Sequence, residues 1–419
     1  MMAAAKAADC GVKVVLLEKN PRLGKKMLIT GGGRCNLTNI AGIDEMVSNI
    51  PGNGRFVYSS LHRFSGEDLR AFFGKLGIQT KVEDQGRVFP VSNSAGEVVD
   101  ALERYLRRQG VGIQLETAVD NLLVENKRCR GLVAGGRVIK TMAVVVATGG
   151  LSYPGTGSTG EGHRMARRIG HQVTPFFPAA VAITCTDPWI TGREVQGISL
   201  EKVRITVYNS GGKNLASEMG DVILTHWGFS GPGALRVGRA VALEKQREPG
   251  APMKGELDLF TMHTTGELAE KLQELAESGS KKSFKNCLAA LLPERLVKVL
   301  LELAHISPEI PVARLTKGQR DALVSLMKAV PVTIQGTRPL AEATVTGGGI
   351  HVKEVYPKSM ESKLIKGLFF AGEILDVDAH TGGFNMQVAF STGYAAGEAA
   401  AALARETLDE LDYGGVNYD

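Results

Sequence analysis

Short runs of mainly apolar residues, each closed by a glycine or a polar residue, occur near both ends of the chain. The runs at residues 12–17, 143–147 and 367–370 are typical of strands that are buried on both faces of a parallel sheet. Apolar positions three and four residues apart predict neighbouring helices, including a long alanine-rich helix at about residues 386–405. The pattern therefore predicts an α/β domain that is assembled from the first and last parts of the chain.

The pattern changes at about residue 175, where short alternating segments and glycine turns begin. These segments predict a β-rich, barrel-like insert. Leucine and alanine then recur at helical spacing, which predicts helices that pack together and act as a lid beside a ligand site. We therefore predict a Rossmann-type domain at residues 1–177 and 336–419, a β-rich insert at 178–262 and 330–335, and a helical lid domain at 263–329.

Glu18 closes the first predicted strand. An acid at this place in a dinucleotide-binding βαβ unit accepts hydrogen bonds from ribose hydroxyls. A strand and a G-x-G-x-x-G loop should precede that acid by about 20 residues, and here they would fall ahead of Met1. The sequence therefore predicts a Rossmann-type domain that lacks its first strand and phosphate loop, through a misassigned start or a truncation.

Glycine loops follow four of the predicted strands, at residues 31–33, 149–150, 347–349 and 382–383. Glycine lets backbone lie directly against a flat ring or a phosphate. Lys26 and Arg34 flank the first loop and are candidates to meet a pyrophosphate, although each alone is equally consistent with a surface side chain. The backbone amides of Phe384–Met386 open the last helix and are suited to stabilise negative charge on a reduced ring. Together these loops indicate FAD rather than a nicotinamide cofactor alone.

Two long motifs carry a family resemblance. The run T-G-G-G-R-C-N-L-T-N at residues 30–39 and the run G-L-F-F-A-G-E-I-L-D-V-D-A-H-T-G-G-F-N-M-Q at residues 367–387 resemble the YhiN/BaiN-like NAD(P)/FAD-dependent oxidoreductases. That family includes aminoacetone oxidase-like flavoproteins. The resemblance covers essentially the whole chain except the first strand and phosphate loop. It implies FAD as cofactor, with NAD(P)H as a reductant or O2 as an acceptor.

The motifs and the resemblance together provide a set of candidate cofactor-binding residues, but no catalytic residue and no metal ligand. Arg87 and Phe89 face the flavin in the family and are weaker candidates. The candidate cofactor-binding residues are Glu18, Lys19, Lys26, Thr30, Gly31, Gly32, Gly33, Arg34, Cys35, Asn36, Val119, Thr148, Gly149, Gly150, Gly372, Glu373, Asp376, Gly382, Gly383, Phe384, Asn385 and Met386.

Because a flavin performs the redox chemistry itself, no side chain is obliged to act as a general base. His226, His351, His380 and Cys35 are the candidates for such a role. For each of them, a structural role or a contact with the flavin is favoured over a role in acid–base catalysis. Cys35 has no partner cysteine nearby with which it would form a redox pair.

The charge and the cysteine content limit the partners and the cellular setting that we expect for this protein. The chain has 419 residues, a net charge of +5 and five cysteines. Its basic doublets are scattered without interleaved aromatic residues, so we expect no nucleic-acid partner. The cysteines form no Cys-x-x-Cys pair and no zinc-site spacing, which indicates a reducing, cytoplasmic setting. No apolar run approaches the roughly 18 residues of a membrane helix, so we expect no membrane association.

The leading functional hypothesis is an FAD-dependent oxidoreductase that acts on a small organic substrate. One alternative is a flavin-dependent RNA-modifying enzyme, and another is a non-catalytic flavin-binding protein. If the chain truly begins at Met1, half of the FAD site is missing and we expect an empty cofactor cleft. The substrate and the oligomeric state are not indicated by the sequence.

Overall fold

The computed structural model describes residues 1–278 and 284–413, which form two compact units. The first unit contains Met1–Phe177 and the chain from Leu340 onward, and the second contains Pro178–Pro339. Residues 279–283 of the predicted helical domain and 414–419 of the predicted Rossmann-type domain lie outside the described residues.

The first part of the first unit alternates short strands with helices. Its helices are α1 (Met2–Asp9), α2 (Ile43–Ser48), α3 (Tyr58–Arg63), α4 (Gly66–Lys75), α5 (Ala95–Arg108) and α6 (Glu161–Arg168). Its strands are β1 (Val15–Leu17), β2 (Thr38–Asn39), β3 (Thr80–Glu83), β4 (Arg87–Pro90), β5 (Gly112–Gln114), β6 (Val119–Glu125), β7 (Arg128–Ala134), β8 (Arg137–Lys140) and β9 (Val144–Val146).

A six-stranded closed barrel forms the centre of the second unit, as the alternating pattern predicts. Its strands, in barrel order, are β11 (Ile183–Cys185), β14 (Gly228–Ser230), β13 (Asn214–Thr225), β12 (Ser199–Tyr208), β15 (Met253–Asp258) and β16 (Val330–Thr337). Strand β10 (Phe177–Ala180) precedes the barrel, and helices α7 (Pro188–Thr191) and α8 (Pro232–Arg247) lie between its strands in sequence. Buried and exposed residues alternate strictly through most of β16, which is the period of a strand with one buried face.

Within the described residues, four helices lie between β15 and β16: α9 (Thr265–Ser278), α10 (Phe284–Leu288), α11 (Glu294–Leu303) and α12 (Lys317–Lys328). Their apolar residues, such as Leu268, Leu300 and Leu323, share one hydrophobic core with barrel residues such as Ile205. The helices therefore stabilise the barrel unit by burying apolar surface against it. A lid function for them stays a prediction.

The chain then returns to the first unit with β17 (Val345–Gly347), β18 (Leu368–Phe370) and α13 (Phe384–Tyr413). Strand β18 pairs in parallel with β9, and β1 pairs in parallel with β5. Strands β2, β4 and β3 form a small antiparallel sheet, and β6–β8 form an antiparallel meander. The three apolar runs are therefore parallel strands, as predicted, but the prediction of burial on both faces is wrong for β1, because Val15 is 47% exposed. In the described residues no helix is both long and apolar enough to cross a membrane.

Candidate cofactor site

Glu373 lies directly after β18, and its carboxylate joins three segments that are distant in the sequence. Its Oε1 atom accepts hydrogen bonds from the backbone amide of Thr346 at 2.8 Å and from the hydroxyl of Ser152 at 3.2 Å. Its Oε2 atom lies 2.6 Å from the Nζ of Lys26, which also donates to Ser152 at 2.7 Å. These contacts gather at the carboxyl ends of β9 and β18, which is where open α/β sheets bind ligands.

The turn after β9 packs closely against Thr346. The Thr346 hydroxyl accepts hydrogen bonds from the backbone amides of Leu151 at 2.8 Å and Ser152 at 2.9 Å. A Cβ atom at Gly150 would lie 2.4 Å from the same hydroxyl, so only glycine fits there. Thr148, at the start of the turn, is exposed. The turn therefore has one packed side and one side that is open to a ligand.

The glycine loop at residues 31–33 presents bare backbone to an open surface. All three glycines have left-handed φ angles, of 57°, 68° and 85°, which residues with a Cβ rarely adopt. Gly31 packs on Phe89, where an added Cβ would lie 2.9 Å from the ring, whereas no atom lies within 4 Å of the corresponding position at Gly32. The exposed backbone of Gly31 and Gly32 therefore offers room for a flat ring or an anionic chain.

The Arg34 guanidinium is already engaged within the protein. Its centre lies 4.1 Å from the middle of the Phe89 ring, and its NH1 atom lies 3.0 Å from both carboxylate oxygens of Glu83. Arg87 approaches the same ring at 5.8 Å. Arg34 therefore serves first to fix the small sheet of β2, β4 and β3 beside the glycine loop, and the weaker candidates Arg87 and Phe89 belong to the same cluster.

Asn36 connects the first glycine loop to the last one. With its amide oriented to satisfy both ends, its nitrogen donates to the carbonyl of Thr38 at 3.0 Å and its oxygen accepts from the Gly383 amide at 3.0 Å. A Cβ atom at Gly383 would lie 2.2 Å from the carbonyl oxygen of Thr38. The Asn39 side chain also donates to the carbonyl of Gly382 at 3.0 Å. Residues 36–39 therefore hold the glycine pair in direct contact with β2.

Helix α13 begins immediately after this glycine pair. The amides of Phe384, Asn385 and Met386 are in its first turn and have no acceptor within the helix. The Asn385 side chain accepts from the Ala379 amide at 3.0 Å and donates to the Ala379 carbonyl at 2.8 Å. The preceding loop is therefore tied to the helix start, whose amides form a site for negative charge.

Glu18 lies at a second end of the site, after β1. Its Oε1 atom accepts from both the backbone amide and the side-chain amide of Asn20, at 2.9 and 2.7 Å. The Nζ of Lys19 donates to Thr159 at 2.6 Å and forms an ion pair with Glu161. These contacts connect the end of β1 to the segment that leads into α6, and they place Glu18 at the carboxyl end of its strand as predicted.

The four remaining candidates, Val119, Gly372, Thr30 and Asp376, have different surroundings. Val119 begins β6 and is half-buried, and Gly372 donates its amide to the Thr392 hydroxyl at 2.9 Å. The Thr30 hydroxyl donates to the Met27 carbonyl at 2.7 Å. Burial raises the pKa of the Asp376 carboxyl, and the neighbouring Asp378 raises it further. Asp376 therefore lies beside the loop that leads to Gly382, but no described contact connects it to the Glu373 carboxylate.

Cys35 is fully buried, and burial raises the pKa of its thiol to about 12. Because the thiolate is the reactive form, we expect Cys35 to resist alkylation at pH 8 in the folded protein, whereas the half-exposed Cys10 reacts first. Iodoacetamide labelling followed by peptide mass spectrometry measures both rates. Rapid labelling of Cys35 without loss of structure would contradict this assignment and would restore a redox role for the thiol.

The histidines do not form one catalytic group. His226 belongs to the barrel unit, and the His351 Nδ1 atom accepts from the Lys353 amide at 3.2 Å. The backbone amide of His380 donates to the Asn49 carbonyl at 2.9 Å. His163 is not a candidate in the sequence, where a lone histidine in so polar a segment is typical of a surface or capping position, but it is 1% exposed and its Nε2 lies 3.0 Å from the Ile374 carbonyl. Most residues of α6 are polar, so the sequence does not indicate that His163 lies on the buried face of this helix.

Two buried histidines predict an acid-sensitive fold. Burial lowers the pKa of His163 from 6.5 to about 4 and also lowers the pKa of His171. Between these values the unfolded chain binds more protons than the folded one, so the free energy of unfolding should fall as the pH drops from 6.5 towards 4. We expect His163 alone to contribute a loss of about 3 kcal/mol over that range. Urea unfolding at pH 7 and pH 5 measures the slope, and His163→Gln should flatten it. An unchanged slope in that variant would exclude His163 as the source.

Ser152 and Thr346 are the site residues that sequence reasoning misses. Each contributes a hydroxyl that holds the Glu373 carboxylate or its neighbouring loop. Their only signal in the sequence is position, since Ser152 lies two residues after the Gly149–Gly150 pair and Thr346 precedes the three glycines at 347–349. Hydroxyl residues next to glycine loops are too common for that signal to single them out.

The donors gathered here fit a flat ring attached to an anionic chain, which is the build of FAD. Lys26 supplies positive charge, Gly31 and Gly32 supply bare backbone, and the first turn of α13 supplies free amides. Gly150 and Gly383 pack directly against Thr346 and Thr38, where an added Cβ atom would collide, so they fix the two turns and do not themselves provide ligand space. In the described part of the chain no cluster of three or more histidine, cysteine or acidic side chains is arranged to hold a metal ion.

Comparisons with known proteins agree with this geometry. The sequence model of the family described as HI0933-like protein Rossmann domain matches residues 1–399. The chain is 33% identical over 401 residues to the 3-dehydro-bile acid delta(4,6)-reductase of Clostridium scindens, covering 95% of each protein. It is 30% identical over 400 residues to the ribosomal RNA dihydrouridine synthase of Haemophilus influenzae, covering 94% of each.

A solved structure extends the comparison to the fold alone. The 3-ketosteroid delta1-dehydrogenase of Sterolibacterium denitrificans superposes with a TM-score of 0.50 at 14% sequence identity. The match covers 96% of this chain and 97% of that protein. At this identity the similarity concerns architecture and not the residues of the site.

Proposed function

This chain belongs to the HI0933-like Rossmann-domain family of flavoprotein oxidoreductases, and we propose that it is an FAD-dependent reductase of carbon–carbon double bonds conjugated to a carbonyl group. The observation that carries the proposal is that Lys26, Ser152 and the Thr346 amide, each near a different glycine loop, converge on the Glu373 carboxylate at the carboxyl ends of β9 and β18. That convergence builds a site for a flavin at the place where such sheets bind ligands.

The names of the relatives support the choice of reaction. A delta(4,6)-reductase of a 3-dehydro bile acid removes double bonds conjugated to a ring carbonyl. A dihydrouridine synthase saturates the ring double bond of uridine, which is also conjugated to a carbonyl. Both reactions deliver a hydride to one carbon and a proton to its neighbour. We propose that this chain retains that chemistry, on a small cyclic substrate and with NAD(P)H as the source of electrons.

Different residues of the chain would bind different parts of FAD. Lys26 would approach an anionic part of the cofactor while it stays paired with Glu373, and the backbone of Gly31–Gly33 and Thr148–Gly150 would lie along the cofactor. The amides that open α13 donate to the polar edge of the ring and favour its negatively charged form. When bound, FAD supplies the two-electron chemistry, and the protein orients the substrate and excludes water.

The test has two separate readouts. Purified protein is first titrated with FAD, and binding is followed by the change in flavin absorbance and fluorescence. The loaded protein is then incubated without oxygen with NADPH or NADH and a 4-ene-3-oxo steroid, or with a uridine oligonucleotide. We expect a product heavier by the mass of two hydrogen atoms from one of these substrates. A parallel incubation in air with an amine tests the alternative: hydrogen peroxide formed there, with no saturated product in the oxygen-free reactions, would indicate an oxidase and overturn the proposal.

A further inference from the structure

Tyr153, the residue directly after Ser152, has a strained backbone. Its φ and ψ angles are 51° and 61°, in the left-handed region that bulky side chains rarely adopt. Pro154 follows it, and a residue before proline prefers an extended conformation. In the described part of the chain no other tyrosine, phenylalanine or tryptophan has a positive φ angle. Glycine would adopt these angles without strain, so the tyrosine is kept here although its backbone destabilises the fold.

Hydrogen bonds on both sides hold Tyr153 in this conformation. Its amide donates to the carbonyl of Ala341 at 3.1 Å. Its carbonyl accepts from the amide of Thr156 at 2.8 Å and from the Thr156 hydroxyl at 2.7 Å. The Nζ of Lys25 donates to the carbonyl of Gly155 at 2.9 Å and fixes the same turn. Backbone strain persists only where the surrounding structure fixes it in this way, and it is concentrated at functional sites.

The strained residue adjoins the candidate cofactor site and is open to a ligand. The preceding Ser152 donates its hydroxyl to the Glu373 carboxylate at 3.2 Å and accepts from Lys26 at 2.7 Å. Tyr153 itself is 40% exposed. Across residues 1–278 and 284–413, its hydroxyl has no hydrogen-bond partner. An unengaged phenol is therefore held next to the residues that converge on Glu373.

Other side chains of the site that carry a transferable proton are either paired or buried. Lys26 and Glu373 form an ion pair at 2.6 Å. His163 is 1% exposed, and its Nε2 is held by a backbone carbonyl. Cys35 is fully buried. In contrast to these four, Tyr153 is exposed and its hydroxyl is free to donate a hydrogen bond to a substrate.

We propose that Tyr153 is the proton donor of the reductase reaction, an inference that rests on the proposed function. The hydride comes from NAD(P)H through FAD and forms a bond to the double-bond carbon farther from the carbonyl. The electron pair of the double bond then forms a bond between the neighbouring carbon and the phenol proton of Tyr153. The phenolate that remains takes a proton from water. One hydride and one proton are thus added, and NAD(P)H is oxidised to NAD(P)⁺.

The experiment follows the two half-reactions of the FAD-loaded protein separately, by stopped-flow absorbance without oxygen. We expect Tyr153→Phe to be reduced by NADPH or NADH at the unaltered rate, because the hydroxyl takes no part in that step. Reoxidation of the reduced protein by the 4-ene-3-oxo steroid or the uridine oligonucleotide, whichever the unaltered protein saturates, should be slower by about 100-fold or more. Binding of that substrate to the oxidised protein, followed by the flavin spectrum, should change less than about threefold.

Tyr58→Phe is the matched control for removal of a phenol hydroxyl. Tyr58 is 43% exposed, close to the value for Tyr153, but its φ and ψ angles of −51° and −48° are those of an ordinary helix. Both half-reactions should keep their rates in this variant. Asp376→Asn tests a rival donor, because burial raises the pKa of that carboxyl. Slow reoxidation in Asp376→Asn together with a normal rate in Tyr153→Phe would assign the proton to Asp376 and overturn the proposal.

A second measurement needs neither FAD nor activity. Tyr153→Gly should raise the midpoint of urea unfolding of the cofactor-free protein, because glycine adopts the left-handed angles without strain. Tyr58→Gly should lower that midpoint, because glycine destabilises a helix. A lower midpoint in Tyr153→Gly would show that the ring stabilises the fold by packing, and it would remove the strain on which the proposal is built.

The outcomes separate this inference from the proposed function. If the unaltered protein saturates neither substrate, the reductase function fails and the role of Tyr153 fails with it. If the unaltered protein saturates one substrate and Tyr153→Phe is reoxidised at the same rate, only the role of Tyr153 is overturned. Equal slowing of both half-reactions in Tyr153→Phe would indicate a disturbed site and would also overturn the assignment.

Discussion

Alanine in place of Gly383 should abolish FAD binding and lower the free energy of unfolding by about 3 kcal/mol. The added Cβ would lie 2.2 Å from the carbonyl oxygen of Thr38, which is backbone and cannot turn aside. The φ angle of 99° is also unfavourable for any residue with a Cβ. The start of α13 must therefore move away from β2, and its amides leave the site. Chemical unfolding and FAD titration measure the two effects.

Gly77→Ala is the matched control for this substitution. Gly77 has a similar left-handed φ angle of 88°, but no atom lies within 4 Å of an added Cβ. It should cost only the backbone strain, about 1 kcal/mol, and leave FAD binding unchanged. If both alanine variants lost the same stability and both bound FAD, the close contact between Gly383 and Thr38 would not be a requirement of the site.

Alanine in place of Glu373 should have the second largest effect. It removes the acceptor for Lys26, Ser152 and the Thr346 amide in one step. The Lys26 and Glu373 side chains are 26% and 20% exposed, so the ammonium group left behind is only partly solvated. We expect a loss of about 2 kcal/mol in the free energy of unfolding. FAD affinity should fall at least tenfold, because the three glycine segments lose their common anchor.

A comparison with an exposed ion pair isolates the role of the Glu373 carboxylate. Lys285 and Glu294 form a pair in the barrel unit at 2.6 Å, and the Glu294 side chain is 58% exposed. Because solvent screens this pair, Glu294→Ala should change the free energy of unfolding much less than Glu373→Ala does, and it should leave FAD binding intact. Glu373→Gln keeps the shape but loses the charge, and it should fall between the unaltered protein and Glu373→Ala. Unchanged FAD affinity in Glu373→Ala would limit the residue to a structural role.

The sequence predicts the parts of this molecule that depend on local pattern. The parallel strands β1, β9 and β18 are short apolar runs, and the barrel strands alternate, so each is recognisable from its neighbours alone. The resemblance to YhiN/BaiN-like proteins rests on two long motifs, and it is confirmed by the family match over residues 1–399. These features need no knowledge of distant contacts.

The partners of each side chain are what the sequence does not reveal. The Glu373 carboxylate contacts Lys26, Ser152 and Thr346, although long stretches of chain separate these residues. Arg34 is predicted as a ligand-facing charge, but Glu83 and Phe89 engage it, and neither contact has a sequence signal. Burial of His163 similarly depends on packing around α6. Such contacts follow from the fold, so they are found only once the fold is known.

The connection from Lys26 to Glu373 also bears on how the protein is made. Glu373 is synthesised 347 residues after Lys26, so the cofactor site cannot assemble until the chain as far as Glu373 has left the ribosome. The barrel unit is continuous from Pro178 to Pro339 and is complete before β18 is synthesised. Domains generally fold as units during synthesis. We therefore expect the barrel to fold first. The strands synthesised earlier stay unpaired until their C-terminal partners have been made, and we expect them to depend on chaperones until then.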